Sequence, residues 1–343
     1  PTQNPEAYDN YLRGRFLLHK ANSQQRFDFN KEGVMSCLQY FEKAIAADSN
    51  FVEAYAGLAN AWFNISAWGI LPKKEGFPKA LALSMKALEI DPDCAEAHAV
   101  KGAYHVWAER RFEEGRREFV RSVQLNPNFA TTHQWYAQLL MITGPIEQAR
   151  VHMDLALELE PYFWVVQNLN AWIYYFEEKY DKAMEATISA RDLKPDFLEN
   201  KWLFFLNNVK LGNGEKAMKE LQEIIRTYPD TGDYDREIED AYEKSGINGL
   251  FTWIIDINIE KPIPVEGLSG HPFFIAWWYA ISGNKEKSVY WLQKNMESNW
   301  RLYVYLNLIA TNPDFDILRD EPFFLEILDE IGLSSYNTRK VNF

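Results

Sequence analysis

The sequence has few cysteines, no basic excess and no long apolar run, and each shortage argues against a class of protein. Two cysteines in 343 residues, Cys37 and Cys94, cannot build a disulfide framework, and we expect both to be free thiols. Lys and Arg number 36 against 49 Asp and Glu, and the net charge of −13 disfavours binding to nucleic acid. Apolar runs such as "FFIAWWYAI" are far shorter than the roughly 20 residues that span a bilayer, so we expect no membrane insertion by this segment.

Motifs that carry catalysis or metal binding are also missing. The sequence contains no HExxH, CxxC or GxSxG and no glycine-rich phosphate loop. His98 and His105 lie seven residues apart and could share a helix face, but no cysteine or carboxylate completes a tetrahedral set at the usual spacing. We therefore expect no catalytic residue, no metal site and no cofactor, and the sequence predicts that the chain is not an enzyme.

A repeat is present instead. Pro127, Pro161, Pro195 and Pro229 recur at a constant interval of about 34 residues, and each follows a short stretch with a leucine or isoleucine and a polar residue. We call these four, together with Pro92, the closing prolines. Because proline cannot donate a backbone hydrogen bond inside a helix, the pattern predicts that each one ends a unit and begins the next turn.

Small residues recur at a constant distance before the closing prolines. Twelve residues before them stand Ala80, Ala149, Ala183 and Ala217, while Gly115 takes the place before Pro127. Small side chains allow two helix backbones to approach closely, so this position predicts the packed face of a helix. Five residues before two of these alanines come Gly144 and Gly212, and Gly283 stands in the same relation to Ser288, as expected of helix ends in the left-handed conformation.

A helix-turn-helix unit of about 34 residues with these small positions and a closing "DP" or "NP" resembles the tetratricopeptide repeat. The resemblance implies an all-α solenoid of about seven to nine helical hairpins in a right-handed superhelix with a C-terminal capping helix. We expect residues 1–230 to form the array, with long loops in the first repeats, and residues 231–343 to continue it as degenerate hairpins.

Four strings carry a closer resemblance: "NPEAYDNYLRGRFLL", "AYAGLANAW", "HPFFIAWWYAISGNKEKSVYWL" and "PDFDILRDEPFF". Together they resemble the C-terminal repeat region of bacterial signalling and regulatory proteins, where such a region follows a DNA-binding, adenylate cyclase or kinase module. The resemblance implies a non-catalytic interaction and sensing role, and a further module upstream of residue 1. It leaves the compartment open, with the cytoplasm slightly favoured over the periplasm.

The candidate binding residues come from helical spacing in the first helix of each hairpin. If Ala137, Ala171 and Phe205 of these first helices pack against the second helix of their own hairpin, a neighbouring stripe of the first helix faces the inner side of the superhelix. Amides beside aromatic side chains there would combine hydrogen bonding with apolar contact. The predicted site comprises Asn60, Phe63, Gln134, Gln138, Asn168, Trp172, Tyr175 and Trp202. The alternative for Trp172 and Trp202 is that they fill gaps between successive repeats.

Two functions fit this interpretation. The first is the binding of a peptide or protein segment in the concave groove. The second is a sensor for a small-molecule effector, held where the loop "SAWGILPKKEGFP" or the aromatic-rich C-terminal hairpin closes over the groove.

Overall fold

The computed structural model describes residues 2–23, 31–67, 69–228, 233–265, 267–297 and 306–336. These residues are helical with short turns, and no strand occurs among them. Pro229 and parts of the two long loops, residues 24–30 and Trp68, lie outside this set. The all-α prediction is confirmed for the described residues.

Two compact units divide the chain: unit 1 is residues 1–139 with 151–166, and unit 2 is residues 140–150 with 167–343. The predicted boundary at residue 230 stays a prediction. Unit 1 contains α1 (Pro5–Ser23), α2 (Lys31–Ala47), α3 (Val52–Ala67), α4 (Lys73–Ile90), α5 (Ala95–Trp107) and α6 (Phe112–Leu125). Both units contain parts of α7 (Ala130–Thr143), α8 (Ile146–Leu159) and α9 (Trp164–Phe176).

Unit 2 continues with helices of 9 to 14 residues among the described residues. They are α10 (Tyr180–Leu193), α11 (Leu198–Lys210), α12 (Gly214–Arg226), α13 (Asp235–Ser245), α14 (Ile247–Glu260), α15 (Pro272–Ile281), α16 (Lys285–Glu297) and α17 (Pro322–Glu330). Two 3₁₀ helices, Pro313–Leu318 and Ser334–Tyr336, flank α17. The capping helix that the sequence predicts is α17, which packs against α16.

In chain order α1 to α16 form eight helix-turn-helix pairs within the described residues, in agreement with the predicted seven to nine. The packing of the two helices as a hairpin is seen in α1–α2, α3–α4, α5–α6, α11–α12, α13–α14 and α15–α16. The glycines at three hairpin turns have positive φ, +62° at Gly144, +74° at Gly212 and +80° at Gly283, as predicted. A side chain is strained in that conformation, so glycine lets the chain leave one helix and enter the next within a few residues.

The alanine position lies on the packed face of the second helix in the four hairpins that have it, as predicted. Ala80, Ala149, Ala183 and Ala217 are all fully buried. At Gly115 even alanine would not fit, because a Cβ there would lie 2.4 Å from Val106 Cγ2 and 3.0 Å from the carbonyl oxygen of Gly102. The glycine that breaks the repeat pattern is therefore required by close packing of α6 on α5.

First helices also contact first helices in unit 1, where α3 packs against both α1 and α5. Phe41 of α2 is fully buried and fits against two glycines; a Cβ on Gly14 or Gly57 would lie 2.9 Å or 2.6 Å from its ring. This stacking places polar residues of α1, α3 and α5 side by side.

Cys37 is buried and Cys94 half-buried, and both are free thiols, as the sequence predicts. Burial raises the pKa of Cys37 to about 12 and that of Cys94 to about 11. Both therefore stay protonated and unreactive at neutral pH. Among the described residues, no helix is long and apolar enough to cross a bilayer.

Candidate functional site

The eight predicted residues lie on the first helices of four hairpins, α3, α7, α9 and α11, and they divide equally between the units. Unit 1 holds Asn60, Phe63, Gln134 and Gln138, and unit 2 holds Asn168, Trp172, Tyr175 and Trp202. Gln138 and Trp172 are half-buried, whereas the other six are buried. Their surroundings differ between the units, so each unit is described separately.

In unit 1, Asn60 belongs to a hydrogen-bonded group that we call the α1–α3–α5 array: Arg15, Asn60, Asn64 and Glu96. Arg15 Nη1 donates to both carboxylate oxygens of Glu96, at 2.9 and 2.8 Å. Asn60 Nδ2 donates to Glu96 Oε1 at 2.9 Å, and Asn64 Nδ2 donates to Asn60 Oδ1 at 2.6 Å. The array thus links the first helices of three consecutive hairpins.

Part of the α1–α3–α5 array is open to solvent. The Arg15 side chain is 37% exposed and that of Glu96 is 14% exposed, while both asparagines are buried. The charge of Glu96 raises the pKa of Arg15, so the guanidinium stays charged. An exposed guanidinium beside amides and a carboxylate offers donors and acceptors to a polar ligand.

Two further titratable groups of unit 1 have shifted pKa values near Arg15. Burial raises the pKa of Glu160, and the charges of His19 and Arg15 oppose that shift. Burial also raises the pKa of Tyr11 to about 12, partly countered by Arg15. The positive charge of Arg15 therefore acts on groups from α1, α5 and the turn after α8.

Phe63 and Gln134, by contrast, lie inside unit 1. Phe63 stacks on Phe77 with ring centroids 4.9 Å apart and meets the edge of Trp135 at 5.2 Å. Its 3% exposure makes it a core residue. Gln134 is also buried, so Gln138 is the predicted α7 residue with an accessible surface.

In unit 2, the predicted tryptophans pack against the C-terminal hairpin. The ring centroids of Trp202 and Trp278 lie 5.2 Å apart. A Cβ on Gly267 would lie 3.0 Å from the Trp202 ring. Trp172 lies 6.3 Å from Trp277 and remains half-buried. These contacts join hairpins that are not neighbours in the chain, so they differ from the filling of gaps between successive repeats that the sequence left open. The predicted binding role stays a prediction.

Tyr175 contributes to a buried charged centre that the sequence did not reveal. Its hydroxyl donates to both carboxylate oxygens of Asp314 at 3.0 Å. Trp277 Nε1 donates to Asp314 at 2.8 Å, and the Lys210 ammonium lies 2.7 Å from it. The Asp314 side chain is fully buried, so these three donors replace the water that it loses.

This Asp314 centre joins α9, α11 and α15 to the 3₁₀ helix near the C-terminus. The same C-terminal segment reaches α7, where Thr311 Oγ1 donates to the carbonyl oxygen of Met141 at 2.5 Å. Burial, followed by the charge of Asp314, raises the pKa of Tyr175 well above its usual value, which keeps the hydroxyl a donor. The signal available in the sequence was Asp314 in "NPDF", which no spacing connects to Tyr175.

Asn168 also has an internal role in unit 2. Its Nδ2 donates to Asn200 Oδ1 at 2.7 Å, and Asn200 Nδ2 donates to the carbonyl oxygen of Lys194 at 3.3 Å. Asn200 is fully buried. The amide of Asn168 therefore helps hold α9 on α11 and the turn before it.

The two histidines considered for metal binding each have a carboxylate partner of their own. His98 Nδ1 is 2.6 Å from Glu118 and His105 Nδ1 is 2.7 Å from Glu109. Within the part of the chain that the structure describes, no three His, Cys, Asp or Glu side chains could hold a metal ion together.

A second histidine pair lies one repeat later. The Nδ1 atoms of His133 and His152 are 2.9 Å apart, and His133 Nε2 lies 2.9 Å from the carbonyl oxygen of Pro127. Since Nε2 must donate to that carbonyl, Nδ1 of neutral His133 accepts a hydrogen bond from the Nδ1–H of His152. Burial lowers the pKa of His152 from 6.5 to about 4, and His133 adds to the shift.

Comparison with known proteins gives relatives of low identity, and no family model matches. The transcriptional regulator HilA of Salmonella typhimurium is 23% identical over 174 residues, which are 51% of this chain and 30% of HilA. The chain thus spans under a third of that relative. The TPR repeat-containing thioredoxin TTL4 of Arabidopsis thaliana is 29% identical over 105 residues, 31% of this chain and 15% of TTL4.

Among solved structures, the human IFIT1 dimer with m7Gppp-AAAA has a TM-score of 0.54 at 14% identity, covering 85% of this chain and 72% of that one. Identity this low relates the folds alone. The constant spacing of the closing prolines, the buried alanine position and the glycine turns agree with these similarities, and the chain has the fold of a tetratricopeptide-repeat solenoid.

Proposed function

We propose that the chain is a non-catalytic binding scaffold that takes a protein segment on the first helices of unit 1. The observation that carries this proposal is the α1–α3–α5 array, in which Arg15 and Glu96 are partly exposed while linked to Asn60. An extended peptide presents one N–H and one C=O per residue, which such side chains can bind. The half-buried Gln138 adds a further amide in the same unit.

Unit 2 is a weaker candidate for this role. Its predicted residues contact Trp277, Trp278 and Asp314, so a ligand there would have to displace side chains that already pack together. The half-buried Trp172 is the predicted residue of unit 2 with accessible surface. Binding of a small-molecule effector stays a prediction.

The test is a peptide selected from a random 12-residue display library on the full chain, with its affinity measured by calorimetry. We expect Asn60→Ala with Glu96→Gln to weaken binding about 5- to 20-fold, since two to three hydrogen-bonding groups are lost. Glu199→Gln is the matched control, because Glu199 stands four residues after Pro195 as Glu96 does after Pro92. The control should bind as the native chain does.

Three outcomes would reject the proposal: no peptide is selected, the Glu199 control loses as much affinity, or Trp172→Ala alone abolishes binding. Thermal melting of each variant separates lost binding from lost folding.

We also propose that this scaffold serves a bacterial regulatory protein. The similarity to HilA over half of the chain supports this role. Sequencing the natural gene upstream of codon 1 tests it; we expect a DNA-binding, cyclase or kinase module there, and a gene product without any output module would contradict it.

A further inference from the structure

The outer face of α8 carries an apolar patch in unit 1, formed by Val151, Leu155, Leu159 and Tyr162. These side chains are 59%, 38%, 36% and 85% exposed. The first three are spaced by four residues and therefore form one row along the helix, about 12 Å long at roughly 1.5 Å per residue. Tyr162 extends the row into the following turn.

Packing of α8 does not require this row. The helix is anchored in unit 1 by Met153 and Ala156, which are fully buried. The patch lies on other positions of the same helix, all of them exposed.

Comparison with the other repeats shows that three of the four patch residues are peculiar to α8, whereas Leu159 stands at a position where other repeats also have an apolar residue, as at Ile90, Leu125 and Leu193. Val151, Leu155 and Tyr162 stand ten residues before, six before and one after the closing proline Pro161. The corresponding positions are exposed in all the other repeats that the structure describes, and they carry polar, charged or very small residues. They are Ala82, Arg117, Glu185 and Lys219 for Val151; Lys86, Arg121, Ser189 and Glu223 for Leu155; and Asp93, Asn128 and Asp196 for Tyr162.

The charged residues that lie beside the patch on α8 itself are acidic. Asp154 and Glu158 are exposed on α8, and no Lys or Arg occurs between residues 151 and 162. An apolar row with acidic flanks is complementary to a helix that has an apolar row and basic flanks.

We propose that the α8 apolar patch is a docking surface for a basic amphipathic helix of a partner protein. The length of the row, extended by Tyr162, matches two to three turns of such a helix. The surface lies on a second helix, whereas the α1–α3–α5 array lies on first helices, so this inference is independent of the proposed peptide site.

The probes are three fluorescein-labelled 14-residue peptides. One has Leu at every third or fourth position with Lys elsewhere, one has the same composition with the Leu row broken, and one has Glu in place of Lys. Fluorescence anisotropy with the full chain at about 0.15 M salt gives the affinities. We expect the first peptide to bind at least tenfold more tightly than either of the others.

The decisive variant is Val151→Glu with Leu155→Ser, which copies the residues of α10 at these positions, Glu185 and Ser189. It removes the apolar row but adds negative charge, so attraction by charge alone would strengthen binding of the basic peptide. We expect at least a tenfold loss, with an unchanged melting temperature. Ile188→Glu is the control, because Ile188 is 44% exposed on α10 outside the patch, and it should bind normally.

The proposal would be overturned if the double variant bound the first peptide as tightly as the native chain does. It would also be overturned if the native chain bound the peptide with the broken Leu row as tightly as the first peptide. Analytical ultracentrifugation at about 100 μM tests a second occupant. If the native chain forms a dimer that the double variant does not form, the patch binds a second copy of this chain, and the proposal of a partner helix is wrong.

Discussion

The first helices of the repeats share one position, which lies eleven residues after the closing proline or the residue aligned with it. In unit 1 this position holds Asn60, Ala103 and Gln138, and in unit 2 it holds Trp172 and Leu206. The repeat directs this position to the same side of each first helix. In unit 1 the amide of Asn60 bonds to Glu96, which is partly exposed. In unit 2, Trp172 meets Trp277 of the C-terminal hairpin. One repeat position therefore takes part in a hydrogen-bonded polar group in one unit and in aromatic packing in the other.

Removing the Asp314 carboxylate breaks the internal packing of unit 2 and has the largest expected effect. Asp314→Ala leaves Lys210, Tyr175 and Trp277 without their common acceptor, which costs about 3–5 kcal/mol of unfolding free energy. Urea unfolding followed by tryptophan fluorescence measures the loss. Tyr175→Phe removes one donor and should cost only about 1–2 kcal/mol. Equal, small losses of unfolding free energy in both variants would show that the Asp314 carboxylate does not hold the C-terminal segment in place.

The histidine pair of unit 1 should make that unit acid-sensitive. The pKa of His152 is about 4 in the folded chain and about 6.5 when unfolded, so the unfolded state binds the proton first as pH falls. Stability from this group is lost between pH 6.5 and 4, by roughly 1–3 kcal/mol.

His152→Ala tests this, because Ala186 occupies the same repeat position in α10. The difference in unfolding free energy between the native chain and the variant should fall by roughly 1–3 kcal/mol between pH 7.5 and 4.5, as measured by urea titrations. A difference that is the same at both pH values would rule out the mechanism.

Gly115→Ala measures how closely the first and second helices of unit 1 approach. The repeat pattern favours alanine, which gains up to about 1 kcal/mol of helix propensity. The new Cβ would lie 2.4 Å from Val106 and 3.0 Å from a backbone oxygen, and such overpacking costs about 1–3 kcal/mol. We expect a net loss of about 1–2 kcal/mol by thermal unfolding. A more stable variant would mean that α5 and α6 separate easily.

Glu96→Gln has the smallest expected effect on stability. The amide keeps one acceptor for Asn60 and removes a partly exposed ion pair with Arg15, so the loss should be below about 1 kcal/mol. Calorimetric melting checks this. A loss several times larger than that of an exposed ion pair would make the α1–α3–α5 array a structural element rather than a surface.

Much of the fold was predictable because its signals are local. Pro127 and Pro161 mark unit ends through a missing N–H, Gly144 and Gly212 mark turns through positive φ, and Ala183 marks a close helix contact. The site was less predictable. Asn60 was identified by spacing, but its partners Arg15 and Glu96 lie in other hairpins, and the burial of Phe63 depends on Phe77 and Trp135.

The sequence by itself determined the helical hairpins, their period and their turns, since backbone conformation and helix approach depend on residues within one repeat. The tertiary structure alone decided that Asp314 meets Tyr175 across 139 positions of the chain and that Trp202 packs on Trp278. Such contacts join segments that the period does not relate, and a side chain's exposure depends on everything that packs over it. For this reason the same repeat position holds an amide bonded to Glu96 in unit 1 and a tryptophan packed on Trp277 in unit 2.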